Sequence, residues 1–294
     1  SPKDLQVQQE GHLQHLLIVL GRKSVHPLDF GFDEPDEAEE AFITYRRELS
    51  TLFKGVTRVH PSLAQEFVRS TLLTTLESLA SVPWAHLEVA LWLLYTLGEG
   101  LPETVIREKN GTFHQLMSAL FSSQASSYPH RSIQLLTFEI HVRYYRFYLT
   151  NPDHLGAALA AFLDERGLYH QTQAVRAKAC YLLLRFVKQT IKSAQGDRNY
   201  LEVVGTLLEV IRQQQDGNQQ AAAAAAAMNG NGHRVYGNAN GSNGHHPPPA
   251  TAGSRGPAPQ LSHTEQLNLY EACGLILGAN LNAIDQVGEQ LRLL

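Results

Sequence analysis

Amphipathic segments of helical period run through this chain in pairs, and the pairs restart near positions 36, 83, 129 and 171, about every 40 to 47 residues. A two-helix unit of that length cannot bury its apolar face alone. It must stack on a neighbour, and the stack must continue in one direction. The sequence therefore predicts an all-α fold, a HEAT-repeat α-solenoid of about five antiparallel helix pairs, with an irregular all-α globule as the rival. Sustained period-2 alternation is missing, and Asn110-Gly111 lies between helical patterns rather than between strands.

Prolines punctuate the pairs. The first clear helix is expected from Asp36 to Val56, with Phe42, Tyr45, Leu49, Leu52, Phe53 and Val56 inward. Pro61 opens the next helix at a first-turn position, where the missing N–H costs nothing, and Pro83 opens the one after it. A fourth helix follows Pro102, breaks near Asn110-Gly111 and resumes to Phe121. Ile133 to Leu149, Pro152 to Arg166, Thr172 to Ile191 and Tyr200 to Gln213 continue the series, and Thr264 to Leu277 and Leu281 to Leu293 make the last pair. The chain starts in an apolar helix (Leu13, Leu16, Leu17, Val19, Leu20) and stops at Leu293-Leu294 without a polar cap, which reads as a piece of a longer solenoid.

One segment departs from the pattern. From Gln213 to Pro259 the chain is rich in Gln, Ala, Asn, Gly and Pro, with Val235 and Tyr236 its rare large apolar residues. Such a composition cannot bury enough surface to offset ordering entropy. The expected organisation is HEAT repeats over 1–212, a flexible low-complexity insertion over 213–262, and a repeat continuing the same solenoid over 263–294. His233, His245 and His246 fall in the insertion and read as solvated side chains.

Signs of catalysis are missing: there is no G-x-S-x-G, no H-E-x-x-H, no phosphate-cradling glycine loop and no Cys–His spacing of a nucleophile. Cys180 and Cys273 are too few and too far apart for a metal cluster or disulfide framework, which fits a reducing compartment. The run Leu16 to Leu20 is too short to span a membrane and lacks the flanks of a signal peptide. A non-enzymatic, intracellular protein without metal or cofactor is the expectation.

Charge is more informative than its sum of -4. Residues 1–130 carry net -6, residues 131–198 net +5, and residues 199–294 net -3. A positive middle between acidic flanks could hold a polyanion. Turned at about 100° per residue, the helix from Thr172 puts Val175, Ala179, Leu182, Leu183, Phe186 and Thr190 on one side. Lys178, Arg185, Lys188 and Lys192, with Tyr181, lie opposite. Arg143 and Arg146 stand nearby among Tyr144, Tyr145 and Tyr148. These six cations are candidate RNA-phosphate contacts; an ordinary solvated helix face is the other reading, and most of those tyrosines suit a core. The acidic run Asp33, Glu34, Asp36, Glu37, Glu39 and Glu40 is a weaker candidate for a basic protein partner, because carboxylates at a helix start also serve its N–H groups.

Longer strings carry a resemblance. F-L-D-E-R-G-L-Y-H (Phe162 to His170) and A-V-R-A-K-A-C-Y-L-L-L-R-F-V-K (Ala174 to Lys188) closely resemble the middle of the exportin-T family, tRNA export receptors of the importin-β (karyopherin) class. So do D-E-A-E-E-A-F-I-T-Y-R-R-E-L (Asp36 to Leu49), H-L-E-V-A-L-W-L-L-Y-T-L-G-E-G-L-P (His86 to Pro102), S-S-Y-P-H-R-S (Ser126 to Ser132) and E-Q-L-N-L-Y-E-A-C-G-L-I-L (Glu265 to Leu277). The low-complexity insertion departs from the family's pattern. The resemblance implies the central HEAT repeats of a monomeric receptor that binds mature tRNA with RanGTP and shuttles between nucleus and cytoplasm past nuclear pore proteins. The family's amino-terminal arch, with its principal Ran-binding surface, would be absent here. The alternative is a HEAT scaffold or importin-type carrier that binds only proteins.

Overall fold

The computed structural model describes residues 2–32, 35–193, 200, 202–213 and 261–292, and among them secondary structure is helical throughout. The helices are α1 (Pro2–Lys23), α2 (Glu37–Val59), α3 (Pro61–Glu77), α4 (Trp84–Gly100), α5 (Glu103–Ile106), α6 (Thr112–Ser122), α7 (Arg131–Arg143), α8 (Arg146–Thr150), α9 (Leu155–Leu163), α10 (Gln173–Thr190), α11 (202–213) and α12 (His263–Arg292). Asp33, Glu34 and all of the low-complexity stretch except Gln213, Leu261 and Ser262 lie outside the described residues.

Local chemistry starts the helices where the sequence places them. Asp36 caps α2 by accepting from Glu39 N at 2.8 Å, while the Glu39 carboxylate accepts from Asp36 N at 3.1 Å, a reciprocal capping box. Pro61 sits in the first turn of α3 and His60 caps it, its Nδ1 accepting from Leu63 N at 3.4 Å. A second capping box, Ser262 with Glu265, opens α12; the S-H-T-E string was its signal.

The first helices of successive pairs make one layer, since α2 packs on α4, α4 on α7, α7 on α10 and α10 on α12. The second helices lie behind: α1 packs on α3 and α3 on α6, while α9 packs against α10 of the first layer. First-layer starts at 37, 84, 131 and 173 match the expected restarts, and the assembly is the HEAT-type all-α solenoid that the period demands. One continuous core runs from Leu17 in α1 to Ile276 in α12. In α10 the inward face is the expected one, with Val175, Ala179, Leu182, Leu183, Phe186 and Thr190 all buried.

Four expectations need correction. Tyr45 and Leu52 of α2 are exposed, because the buried face, with Leu49, Phe53 and Val56, is narrower than the sequence suggested. The segment Ile133 to Leu149 is not one helix. It breaks at Tyr144–Tyr145, where the N–H groups of Phe147 and Tyr148 bond three residues back rather than four, and the Tyr144 hydroxyl reaches across to the Tyr95 carbonyl at 2.5 Å. The helix after Pro152 begins as a 3-10 turn and ends at Leu163, not Arg166, because the Leu168 N–H returns to the Phe162 carbonyl at 2.8 Å. Gly167 is required there, since a Cβ would strike that same carbonyl. The last pair is instead one helix, His263–Arg292; Gly274 and Gly278 are tolerated and no proline interrupts it.

Buried polar groups lock neighbouring repeats. Arg46 of α2 donates two hydrogen bonds to Glu88 of α4, at 3.0 and 2.6 Å, and a third to His26 Nε2. Burial, then the Arg46 charge, then His130 hold the His26 ring down at about 3, so it stays neutral and its 3.8 Å approach to Glu88 is no ion pair. Burial raises the Glu88 carboxyl, while Arg46 pulls the other way. His141 of α7, bonded to the Tyr148 hydroxyl, is likewise lowered to about 3, by burial and then by Arg166.

Two predictions follow from this packing. Gly98→Ala would push a Cβ into the Tyr144 hydroxyl and ring, and is expected to cost about 1–3 kcal/mol. Gly55→Ala, whose Cβ meets open space, should instead stabilise α2 by about 0.5–1 kcal/mol. Urea midpoints at constant slope test both. For His26 and His141 the folded pKa of about 3 lies below the ordinary 6.5, so the unfolded chain binds protons that the folded chain refuses. Stability should be complete above 6.5 and fall as pH drops towards 3, by about 1.4 kcal/mol per pH unit for each ring. Urea unfolding of His141→Gln between pH 7 and pH 4 should show a shallower decline.

Candidate nucleic-acid interface

The cationic stripe on α10 exists because the helix is amphipathic at full length: its buried face is pinned to α7 and α12, leaving Lys178, Tyr181, Arg185 and Lys188 in solvent, with Lys192 just beyond the helix. Lys178 Nζ and the Arg185 guanidinium each sit 5.7 Å from the Tyr181 ring centre. Neighbouring first-layer helices answer part of this charge. Lys178 pairs with Glu139 of α7 at 2.8 Å, and Lys188 with Glu271 of α12 at 2.6 Å. Each pair therefore joins two repeats along one face.

The break at Tyr144–Tyr145 builds the second half of the site. Ending α7 there turns α8 away and leaves a cleft of about 640 Å³ between α4–α6 and the α7–α8 turn. Four arginines line it: Arg107 at the end of α5, Arg143, Arg146 and Arg185. Phe113 and Tyr145 are among its apolar walls. Glu99 and Glu103 stand in the same cleft. Glu103 takes Arg107 at 2.6 Å and also Arg146, and Glu99 takes Arg143 at 3.5 Å and Lys54 at 3.4 Å. Cations and carboxylates thus alternate along the cleft. Among the described residues Arg185 makes no ion pair.

The structure gathers three of the six sequence candidates, Arg143, Arg146 and Arg185, at one cleft. Lys178 and Lys188 lie along α10 outside it, and Lys192 lies just beyond the helix. Arg107 was not among the candidates; an i,i+4 spacing from Glu103 is its one local signal, and that spacing marks an ordinary helix-surface pair. Of the tyrosines, Tyr144 and Tyr148 are buried core residues and Tyr145 is half-buried at the cleft wall. Arg176, which leans to the apolar side, donates to the carbonyls of His170 and Gln171 in the turn between α9 and α10.

The acidic run divides. Asp36 and Glu39 are occupied in the α2 capping box, with Glu39 also accepting from Gly31 N, while Glu37 and Glu40 point into solvent. Asp33 and Glu34 lie outside the described residues. Burial pushes the Cys180 thiol up to about 12 and the Cys273 thiol up to about 11, so both are protonated near neutrality. Among the described residues no group of His, Cys, Asp and Glu side chains could hold a metal ion, and no helix is long and apolar enough to cross a membrane.

Comparison with known proteins adds a family. The sequence model of Exportin-T matches residues 2–233. Exportin-T of Danio rerio is 34% identical over 190 residues, covering 63% of this chain and 20% of that protein. Exportin-T of Arabidopsis thaliana is 34% identical over 168 residues, 57% of this chain and 17% of the relative. Exportin-T of Podospora anserina is 28% identical over 207 residues, 66% and 20% respectively. The match spans about a fifth of the length of these curated relatives.

Proposed function

This chain belongs to the exportin-T family, and from that premise we propose that it is the central part of a nuclear export receptor which binds mature tRNA together with RanGTP. The receptor carries the tRNA past nuclear pore proteins into the cytoplasm, shuttles back, and works as a monomer without cofactor or catalytic step. The observation that carries the RNA part is the convergence of Arg143, Arg146 and Arg185 on one cleft, continuous with the exposed Lys178, Lys188 and Lys192. Guanidinium and ammonium groups along a rigid helical face recognise phosphates by position, and an A-form backbone offers shape and 2′-hydroxyls rather than base edges. Glu37 and Glu40, free of the capping box, are the part of the acidic run left to meet a basic patch on Ran or another protein.

A second reading has its own support. Lys178 and Lys188 are already paired with carboxylates of adjacent helices, which is what a purely structural face requires. On that reading the chain is a HEAT scaffold or importin-type carrier that binds only proteins.

Equilibrium binding of tRNA to the full-length receptor, with and without RanGTP and at two salt concentrations, separates the two. Reversing Lys178, Arg185, Lys188 and Lys192 to glutamate should weaken Ran-dependent binding at least about 10-fold. It should also lower the log–log salt slope by about 1 for each phosphate that is no longer neutralised. Ran-dependent binding that survives the reversal intact would move the RNA site elsewhere. A wild-type receptor that binds no tRNA would leave the protein-only scaffold.

A further inference from the structure

Two carboxylates stand where an anion-binding cleft would be expected to hold none. Glu103 lies between Arg107 and Arg146 and accepts from both, and Glu99 lies between Arg143 and Lys54. Arg107 and Arg146 each give one N–H to the same Glu103 oxygen, so the carboxylate occupies donors that a phosphodiester oxygen could take in its place. The side chains of Arg146 and Glu103 are 48% and 56% exposed, and Arg107 is similarly open. Ion pairs so exposed contribute about 0–1 kcal/mol each, so opening them costs little. Glu103 starts the single-turn helix α5 and Arg107 is its C-cap; the helix is short and contains no buried residue. Arg146 begins α8 on the opposite wall. The Glu103 carboxylate therefore ties Arg107 to Arg146 within the cleft lining, by contacts that solvent already competes for.

Resting on the reading of this face as an RNA surface, we propose that the cleft is a phosphate-exchange site in which Glu103, assisted by Glu99, is the resident counter-ion that an RNA backbone displaces. Arg107 joins Arg143, Arg146 and Arg185 as a phosphate contact. An isolated anion gains little by the exchange, because it replaces one carboxylate with one anion. A polyanion that occupies several cationic positions at once gains at each of them, so the glutamates set a threshold that favours a long structured RNA over free phosphate. Glu103 is then a specificity-determining residue whose removal tightens binding. A glutamate that merely held the arginines in position would have the opposite effect when removed.

The test is tRNA binding by the full-length receptor with RanGTP at about 50 and about 200 mM salt. Glu103→Gln should bind about 3- to 10-fold tighter at the lower salt, with the gain fading at the higher. Glu77→Gln, the same charge change at an exposed position on α3, should leave binding unchanged. The double reversal Arg107→Glu and Arg146→Glu should weaken binding at least about 10-fold. Weakening by the reversal with Glu103→Gln unchanged or weaker would overturn the counter-ion role while keeping the cleft as an RNA contact. Wild-type Ran-dependent binding that neither variant alters would overturn the site and leave the transport reading standing. A wild-type receptor without tRNA affinity would remove both. All four substituted side chains are solvent-exposed, and matching urea midpoints confirm that the variants are folded.

Discussion

Burial of α4 on both sides is the constraint from which the rest of the stack takes its geometry. Leu87, Leu91, Leu94 and Leu97 are fully enclosed, and α2, α3 and α7 close around them. Truncating any one of these leucines to alanine opens a void worth about 2–5 kcal/mol, because neighbours on two layers cannot both relax into it. Close approach is allowed by small residues. A Cβ on Gly98 would strike Tyr144, and one on Gly100 would lie 2.9 Å from Thr57 Cβ. The Arg46–Glu88 pair fixes the register of α2 against α4, because separating two buried opposite charges would leave each of them uncompensated.

From that packing comes the break which makes the site. Tyr144 closes the last turn of α7, its N–H bonding the Ile140 carbonyl at 3.0 Å while its hydroxyl reaches the Tyr95 carbonyl over Gly98, and the helix ends there. The turn aims Arg143, Tyr145 and Arg146 into the space beside α5, and α10 supplies Arg185 from the next repeat. The cleft is therefore an inter-repeat feature. Residues from three repeats line it, and only stacking brings them together.

Electrostatics along the face follow the same logic. Counted along the chain, the middle third is positive and its flanks negative. In the fold the opposing charges meet sideways, as Glu139 answers Lys178 and Glu271 answers Lys188 from adjacent first-layer helices. The field over the stripe is thus partly answered from neighbouring helices, and Arg185, which makes no ion pair among the described residues, is left available at the cleft. Such exposed pairs are screened by salt and readily exchanged.

Helix class, repeat period and the buried face of α10 were legible in the sequence. They follow from local periodicity and from start signals such as Pro61 and the Asp36–Glu39 box, which act within one turn. The resemblance strings, long and irregular, carried the family for the same reason: repeat packing demands particular side chains at particular positions. Arg143, Arg146 and Arg185 were legible as cations, but not as neighbours. The break at Tyr144, the unbroken α12, the outward turn of Tyr45 and Leu52, and the partners Glu99, Glu103, Glu139 and Glu271 were decided by tertiary structure alone. Each depends on how close two helices from different repeats approach, and on which carboxylate then faces which cation. Those are distances between residues some 40 to 80 positions apart, set by side-chain volumes on both partners, and no local pattern encodes them.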